Sequence, residues 1–209
     1  MCQFLHQLAT HHWTALKHIL CYLKDTHDTP DHGLFYQPGS LMLEAYYDTD
    51  YAGCLDDRHS TGGYCVYLGH NPISWSVKKQ YTVSRSSIEV EYRQLAYTVV
   101  ELSWIRSLFK NLGVWLSTPH IWCDNISSVS LASNPVFYTR TKHLEVDYHY
   151  IRDKVVRKKL EVCYISTTNQ VVDIFTKGLS KSRFLLLTNK LMVRSRPINL
   201  RGCDNYEKS

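Results

Sequence analysis

The sequence has no Cys-x-x-Cys pair, no apolar run long enough to cross a membrane, no internal repeat and no low-complexity tract. Each absence excludes a class. The seven cysteines, at positions 2, 21, 54, 65, 123, 163 and 203, are odd in number and scattered. That pattern argues against a disulfide framework and for reduced thiols inside a cell. None of the eleven histidines stands beside a cysteine at zinc-ligand spacing. The N-terminal stretch FLHQLATHHWTALKHILCYL is broken by histidines and Lys17, so it reads as an amphipathic helix, not as a signal peptide or a span. An intracellular protein, cytoplasmic or nuclear and without a membrane partner, is expected. Charge of one sign is also in short supply: the formal net charge is only +5, which permits a nucleic-acid partner without demanding one.

What is present is ordinary for a globular chain. The 209 residues, 44% of them hydrophobic, suffice for one core of about 150 residues plus extensions. Residues 10–24 set Trp13, Leu16, Leu20 and Leu23 on one helical face, with Thr10 as N-cap. Strands are expected at about 40–48, 62–69 and 71–80, close enough in sequence for an antiparallel meander. The longest helix should start at a capping box, Ser86 to Glu89, and stop at Gly113. A short strand over 120–124, a short helix, a helix rich in basic residues near its end, a strand over 160–166 and a last helix follow. Three antiparallel strands and then helix–strand alternation predict an α/β fold: a mixed five-stranded sheet flanked by helices.

Against that pattern, four carboxylates stand out. In LMLEAYYDTDYAGC an alternating strand ends in Asp48 and Asp50, two residues apart and therefore on one side of an extended chain. Asp124 ends the apolar strand IWCD just before a helix. Glu91 lies about 60° from the centre of its helix's apolar stripe, and Asp173 falls in the first turn of the last helix. Singly, each has a simpler reading: an N-cap for Asp124, a helix-dipole partner for Asp173, a snorkelling side chain for Glu91. Together they are costly unless neutralised. A hard, oxygen-seeking divalent cation is the economical neutraliser. Two such ions can activate a water and stabilise the leaving oxygen of a phosphodiester, which points to metal-dependent nucleic-acid hydrolysis.

Several long blocks, YYDTDYAGCLDDRHSTGGYCVYLG, ISWSVKKQYTVSRSSIEVEYRQLA, IWCDNISSVSLASNPVFYTRTKHLEVDYHYIRDKV and NQVVDIFTKGLSKSRF, occur in this order over residues 40–185. In them the chain resembles the ribonuclease H region of Ty1/copia-type retrotransposon Pol polyproteins. The resemblance implies a ribonuclease H-like sheet and hydrolysis of the RNA strand of RNA–DNA hybrids. It implies two Mg²⁺ ions, with Mn²⁺ as a substitute, and no small-molecule cofactor. Matched block by block, Asp48, Glu91, Asp124 and Asp173 are the implied catalytic and metal-binding residues. SIEVEY offers Glu89 as an alternative to Glu91, but Glu89 has a capping task.

Lys78, Lys79, Arg85, Arg140 and Lys142 are candidates for phosphate contacts, and His143 for proton transfer or product release. The run Arg152, Lys154, Arg157, Lys158 and Lys159 reads equally as a hybrid-binding face or a solvated surface. Residues 1–38 resemble the end of a reverse transcriptase, 39–180 form the ribonuclease H-like domain, and 181–209 form a C-terminal helix and tail. The reverse transcriptase module of an intact element is absent, as is any Y-x-D-D hairpin, so a truncated element is expected. Asp56-Asp57 lies in the segment after the first catalytic Asp and is no substitute.

The usual S-D-A-D-W-A-G and S-T-E-A-E-Y are altered here at Tyr47, Thr49, Tyr51, Ile88 and Val90, none of them a ligand position. A catalytically silent, nucleic-acid-binding remnant is the alternative. An integrase-like nuclease would need Glu161 in place of Glu91, yet Glu161 opens a strand.

Overall fold

The computed structural model describes residues 9–27, 32–54, 56–133 and 145–195. Candidates Arg140, Lys142 and His143 lie outside them. The chain divides into two compact units, Met1–Phe35 with Val193–Ser209, and Tyr36–Met192.

In the first unit, α1 spans Thr10–His27, and β1 (His32–Leu34) pairs antiparallel with β7 (Val193–Ser195). Thr10 is already helical and Ala9 precedes it, so Thr10 is not the cap that the sequence led us to expect. These two strands were not anticipated either, because three residues are too few to show a period of two.

The second unit contains a five-stranded sheet of order β4-β3-β2-β5-β6. β2 (Leu43–Asp50), β3 (Thr61–Leu68) and β4 (Asn71–Lys79) form the antiparallel meander. β5 (His120–Cys123) joins β2 in parallel, and β6 (Glu161–Tyr164) joins β5 in parallel. Parallel neighbours need crossover connections. α2 (Ser87–Asn111) leads to β5, and α3 (Ile126–Ser133) and α4 (Glu145–Val156) lie between β5 and β6. This is the mixed five-stranded sheet, antiparallel over three strands and parallel over the rest, expected from the sequence. Beyond β6 come a 3₁₀ turn at Thr167–Asn169, α5 (Asp173–Thr176) and α6 (Lys181–Lys190). A last helix opened by NQVVDIFTKGL and a separate C-terminal helix from residue 181 were expected; α5 is a single short turn, with Lys177 in extended backbone after it.

α2 is placed by its ends. Ser86 caps it, its Oγ accepting from Glu89 N at 3.2 Å. The return limb of the capping box slips by one residue, since Glu89 Oε2 accepts from Arg85 N. At the far end Gly113 takes φ +75°, a left-handed conformation that glycine adopts without a Cβ clash. Leu95, Val99, Leu102 and Ile105 of α2 and Leu43, Ala45 and Tyr47 of β2 share the core, each buried Leu, Val or Ile contributing about 1.5–3 kcal/mol.

Adjacent glycines on β3 admit a helix to each face of the sheet. A Cβ on Gly62 would lie 2.2 Å from Gln94 Oε1 of α2, whereas one on Gly63 would lie 3.2 Å from Val172 and 3.3 Å from Thr176. Successive strand residues point to opposite faces, so α2 and α5 sandwich the sheet at this point.

Gln170 fastens α5 to the central strand. Fully buried, it donates from Nε2 to the Tyr47 carbonyl at 2.9 Å, one residue past the last β2–β5 pair, Tyr46 with Trp122. Gln170→Leu leaves that carbonyl buried and unpaired, and should cost about 1–3 kcal/mol. A lower urea midpoint at unchanged m-value would register it; an unchanged midpoint would refute the role.

Candidate active site

β2 carries Asp48 and runs on to Asp50, so Asp48 is interior to the strand and does not end it. Register opposes it to Gly63, on the face that α5 covers. Thr176 Oγ1 donates to Asp48 Oδ2, and Lys177 Nζ lies 3.2 Å from Oδ1. Asp50 is occupied differently: its carboxylate lies so close over Gly53 that a Cβ there would fall 1.7 Å from Oδ2. It shapes the turn after the strand.

The next residue of β2, Thr49, points to the other face. Its Oγ1 donates to Glu91 Oε1 at 2.8 Å. Glu91 is buried, and among the described residues its Oε2 has no hydrogen-bond partner. The other glutamate of SIEVEY, Glu89, pairs outward with Arg93 at 2.9 Å. Two residues, about 200° of helical phase, separate the two tasks.

Asp124 follows β5 directly. Its simpler reading as an N-cap belongs to its neighbour: Asn125 Oδ1 accepts from Ser127 N at 3.0 Å and Ser128 N at 3.3 Å. Asp124 is thereby free to accept from Thr167 Oγ1 at 3.1 Å. Asp173 is buried at the start of α5, and Lys177, one helical turn on, approaches its Oδ1 to 2.7 Å. Arg183 of α6 holds Oδ2 at 3.2 Å while also donating to the carbonyls of Thr167 and Thr168.

The electrostatics follow from burial with too little positive charge. Burial raises the Asp48 carboxyl above its ordinary value, against the Thr176 hydrogen bond and the Lys177 charge. Burial pushes Glu91 up to about 8; the Thr49 hydrogen bond opposes this, and the charges of Asp48 and Asp124 add to it. For Lys177 burial works downward, but hydrogen bonds and charge from Asp173 and Asp48 outweigh it, and the ammonium is held above its ordinary value. Behind the site, Tyr47 OH lies beside Cys123 and Ser128, yet neither the phenol nor the serine hydroxyl completes a well-formed hydrogen bond among the described residues.

The donor chemistry fits a hard divalent cation: four carboxylates share two cations, and a buried carboxylate oxygen is unpaired. Lys177 nevertheless spans the interval between Asp48 and Asp173. Among the described residues, no three acidic, His or Cys side chains are gathered closely enough to hold an ion. Sequence reasoning missed Lys177, Arg183, Gln170 and the three threonines. Lys177, four residues after Asp173 in a helix-like stretch, was the one with a readable signal.

Of the candidate phosphate contacts, Lys78 and Arg85 are exposed, while Lys79 is bound to Asp57 at 2.6 Å. The basic run is not one helix face, because α4 ends at Val156 and Arg157 pairs with Asp153 at 2.6 Å. Glu161, the residue an integrase-like site would need, starts β6 opposite His120, a full strand length from Asp124. No helix among the described residues is long and apolar enough to cross a membrane.

No family model matches the chain. It is 48% identical over 204 residues to the retrovirus-related Pol polyprotein from transposon RE2 of Arabidopsis thaliana, covering 97% of this chain and 14% of that protein. It is 35% identical over 184 residues to the Pol polyprotein from transposon TNT 1-94 of Nicotiana tabacum, covering 88% and 14%. The chain therefore spans about one seventh of the length of these relatives. Among solved structures, LC11-RNase H1 in complex with an RNA/DNA hybrid is similar with a TM-score of 0.47 and 11% identity, over 61% of this chain and 88% of that one.

Proposed function

Because the chain belongs to the Pol polyproteins of Ty1/copia-type retrotransposons, we propose that its larger unit hydrolyses the RNA strand of RNA–DNA hybrids with divalent cations, Mg²⁺ by preference. The observation that supports this reading is the coupling of buried carboxylates: the charges of Asp48 and Asp124 act on Glu91, and Lys177 pairs with both Asp48 and Asp173. Those four would hold the ions. A divalent ion in such a site supplies charge neutralisation and polarises a phosphate oxygen.

The chain's own residues do the positioning. Thr176 and Lys177 fix the rotamer of Asp48, Thr49 that of Glu91, and Thr167 that of Asp124. Arg183 ties Asp173 to the 3₁₀ turn that carries Thr167, so two of the carboxylates are set by one guanidinium. Burial, raising Glu91 to about 8, favours its protonated form at neutral pH on the ion-free protein, and a cation held there would favour the carboxylate.

Purified protein should cut the RNA strand of a labelled hybrid in Mg²⁺, and Asp124→Asn should lose at least about a thousandfold in rate, about 4 kcal/mol of transition-state stabilisation. Cutting that survives the change would refute the assignment. One observation favours a second reading, a silent nucleic-acid-binding remnant: Lys177 already satisfies two of the carboxylates. That reading predicts salt-dependent hybrid binding with no cutting at any Mg²⁺ or Mn²⁺ concentration.

A further inference from the structure

A cleft of about 370 Å³ opens between the C-terminal half of α2, the loop that follows it, and the α4–β6 connection. It lies at the opposite end of the sheet from the carboxylates. Pro119, just before β5, lines it, whereas Asp124 comes just after β5. Along α2, Glu91 and Arg106 are fifteen residues apart, about 22 Å at 1.5 Å per residue.

Four cations line this cleft, Arg106, Lys110, Lys154 and Lys159, with no carboxylate among the lining residues. Two helices end here, and lysines near helix C-termini have a structural use. Each end carries roughly half a negative charge, so α2 and α4 together offset about one of the four positive charges and leave an excess of about three. Two of the cations are held in place before anything binds. Arg106 donates to the Lys159 carbonyl at 2.7 Å, and Lys154 lies 5.2 Å from the Tyr150 ring centroid, whose hydroxyl bonds Ser103 at 3.3 Å. On the same wall Trp115 is 80% exposed, while buried Leu102 and Leu160 make the floor. An open indole beside preordered cations is the arrangement that stacks a base and tracks a phosphate backbone. The volume falls at the small end of ligand pockets, about 300–1,000 Å³, which suits one nucleotide.

We propose that this cleft binds a nucleotide of a single-stranded nucleic-acid segment, its base stacked on Trp115 and its phosphates held by Arg106, Lys110, Lys154 and Lys159. The site stands apart from the carboxylates and does not depend on their activity. It also divides the basic run read from the sequence: Lys154 and Lys159 enter the cleft, and Arg157 is spent on Asp153.

The test uses the full chain carrying Asp124→Asn, so that no probe is cut. It is titrated with a fluorescein-labelled ten-nucleotide single strand at several salt concentrations. Lys110→Glu with Lys159→Glu should weaken binding at least tenfold and lower the slope of log affinity against log salt by about 1.4, for two contacts at about 0.7 each. Trp115→Ala should weaken binding about tenfold at unchanged slope, and Trp115→Phe should recover most of it. Unchanged affinity and slope in the double variant, with an unchanged thermal melt, would overturn the proposal. So would a glutamate-rich peptide that competes as strongly as the strand, because the cleft would then belong to an acidic protein segment. Hybrid cutting by the chain with Asp124 intact is scored separately, so the failure of either reading is distinguishable from that of the other.

Discussion

Glu91→Gln will make the ion-free protein more stable at pH 9 and at the same time remove hybrid cutting. Burial raises the Glu91 carboxyl to about 8 from an ordinary 4.5. Between those values the unfolded chain has released the proton and the folded one retains it. Stability therefore falls as pH rises through that window and levels off above it. At about 1.4 kcal/mol per pH unit, the charge on Glu91 costs the fold a few kcal/mol at pH 9. Gln keeps the shape and still accepts from Thr49 through Oε1, but it carries no charge. Guanidinium midpoints in EDTA should thus be close at pH 5 and separate at pH 9, the variant being higher; Mg²⁺ should narrow the gap by stabilising the wild type. The raised carboxyl of Asp48 adds a slope of the same sign to both proteins, and because its charge acts on Glu91 the variant also relieves that repulsion. Equal midpoints at pH 9 would show that Glu91 is not held as described.

Gly63→Val should damage the site more than the fold. A Cβ alone at Gly63 would meet Val172 at 3.2 Å, Thr176 at 3.3 Å and the Ser76 carbonyl at 3.4 Å, and the two γ carbons of valine reach further in the same direction. Overpacking of this kind costs about 1–3 kcal/mol. The element it displaces is α5, which carries Asp173 and Thr176 and leads into Lys177. A displacement of about 1 Å at a reacting centre costs on the order of a hundredfold in rate, so kcat should fall by at least that much while the urea midpoint moves modestly. Gly62→Ala makes the control on the opposite face, because its new Cβ meets the Gln94 side chain of α2, at 2.2 Å from Oε1 and 2.9 Å from Cδ, and leaves α5 in place. Wild-type kcat in Gly63→Val would show that α5 does not position the site.

The sheet was legible because its signals are local and repeated. Alternation from Leu43 to Tyr47 and the Ser86–Glu89 cap both speak for themselves within a few residues. The four carboxylates could be picked out in the sequence, but the groups that hold their side chains could not. Gln170 and Thr167 reach Tyr47 and Asp124 across the fold, and nothing beside them in sequence marks a fully buried amide. Side-chain parity failed to separate Asp48 from Asp50, since both lie in β2. They differ in what they face, α5 for one and Gly53 for the other, and that depends on residues more than a hundred positions away in the first case. The shortness of α5, four residues long, was hidden for the same reason. Lys177 leaves the helix while its ammonium reaches back to Asp48, a tertiary contact that overrides local helical preference.

The long reach from Asp48 to Lys177, 129 positions along the chain, also orders events during synthesis. The β2–β4 meander can pair soon after Lys79 leaves the ribosome, because its contacts are sequential. β5 must arrive before β2 is flanked on its second edge, and α5 must arrive before Asp48 acquires its partners. Non-local closures of this kind come late in folding. A nascent chain that has not yet reached Asp173 therefore displays a sheet with three of the carboxylates and without the Lys177 ammonium that pairs with Asp48, so the proposed site would be assembled only once α5 has emerged.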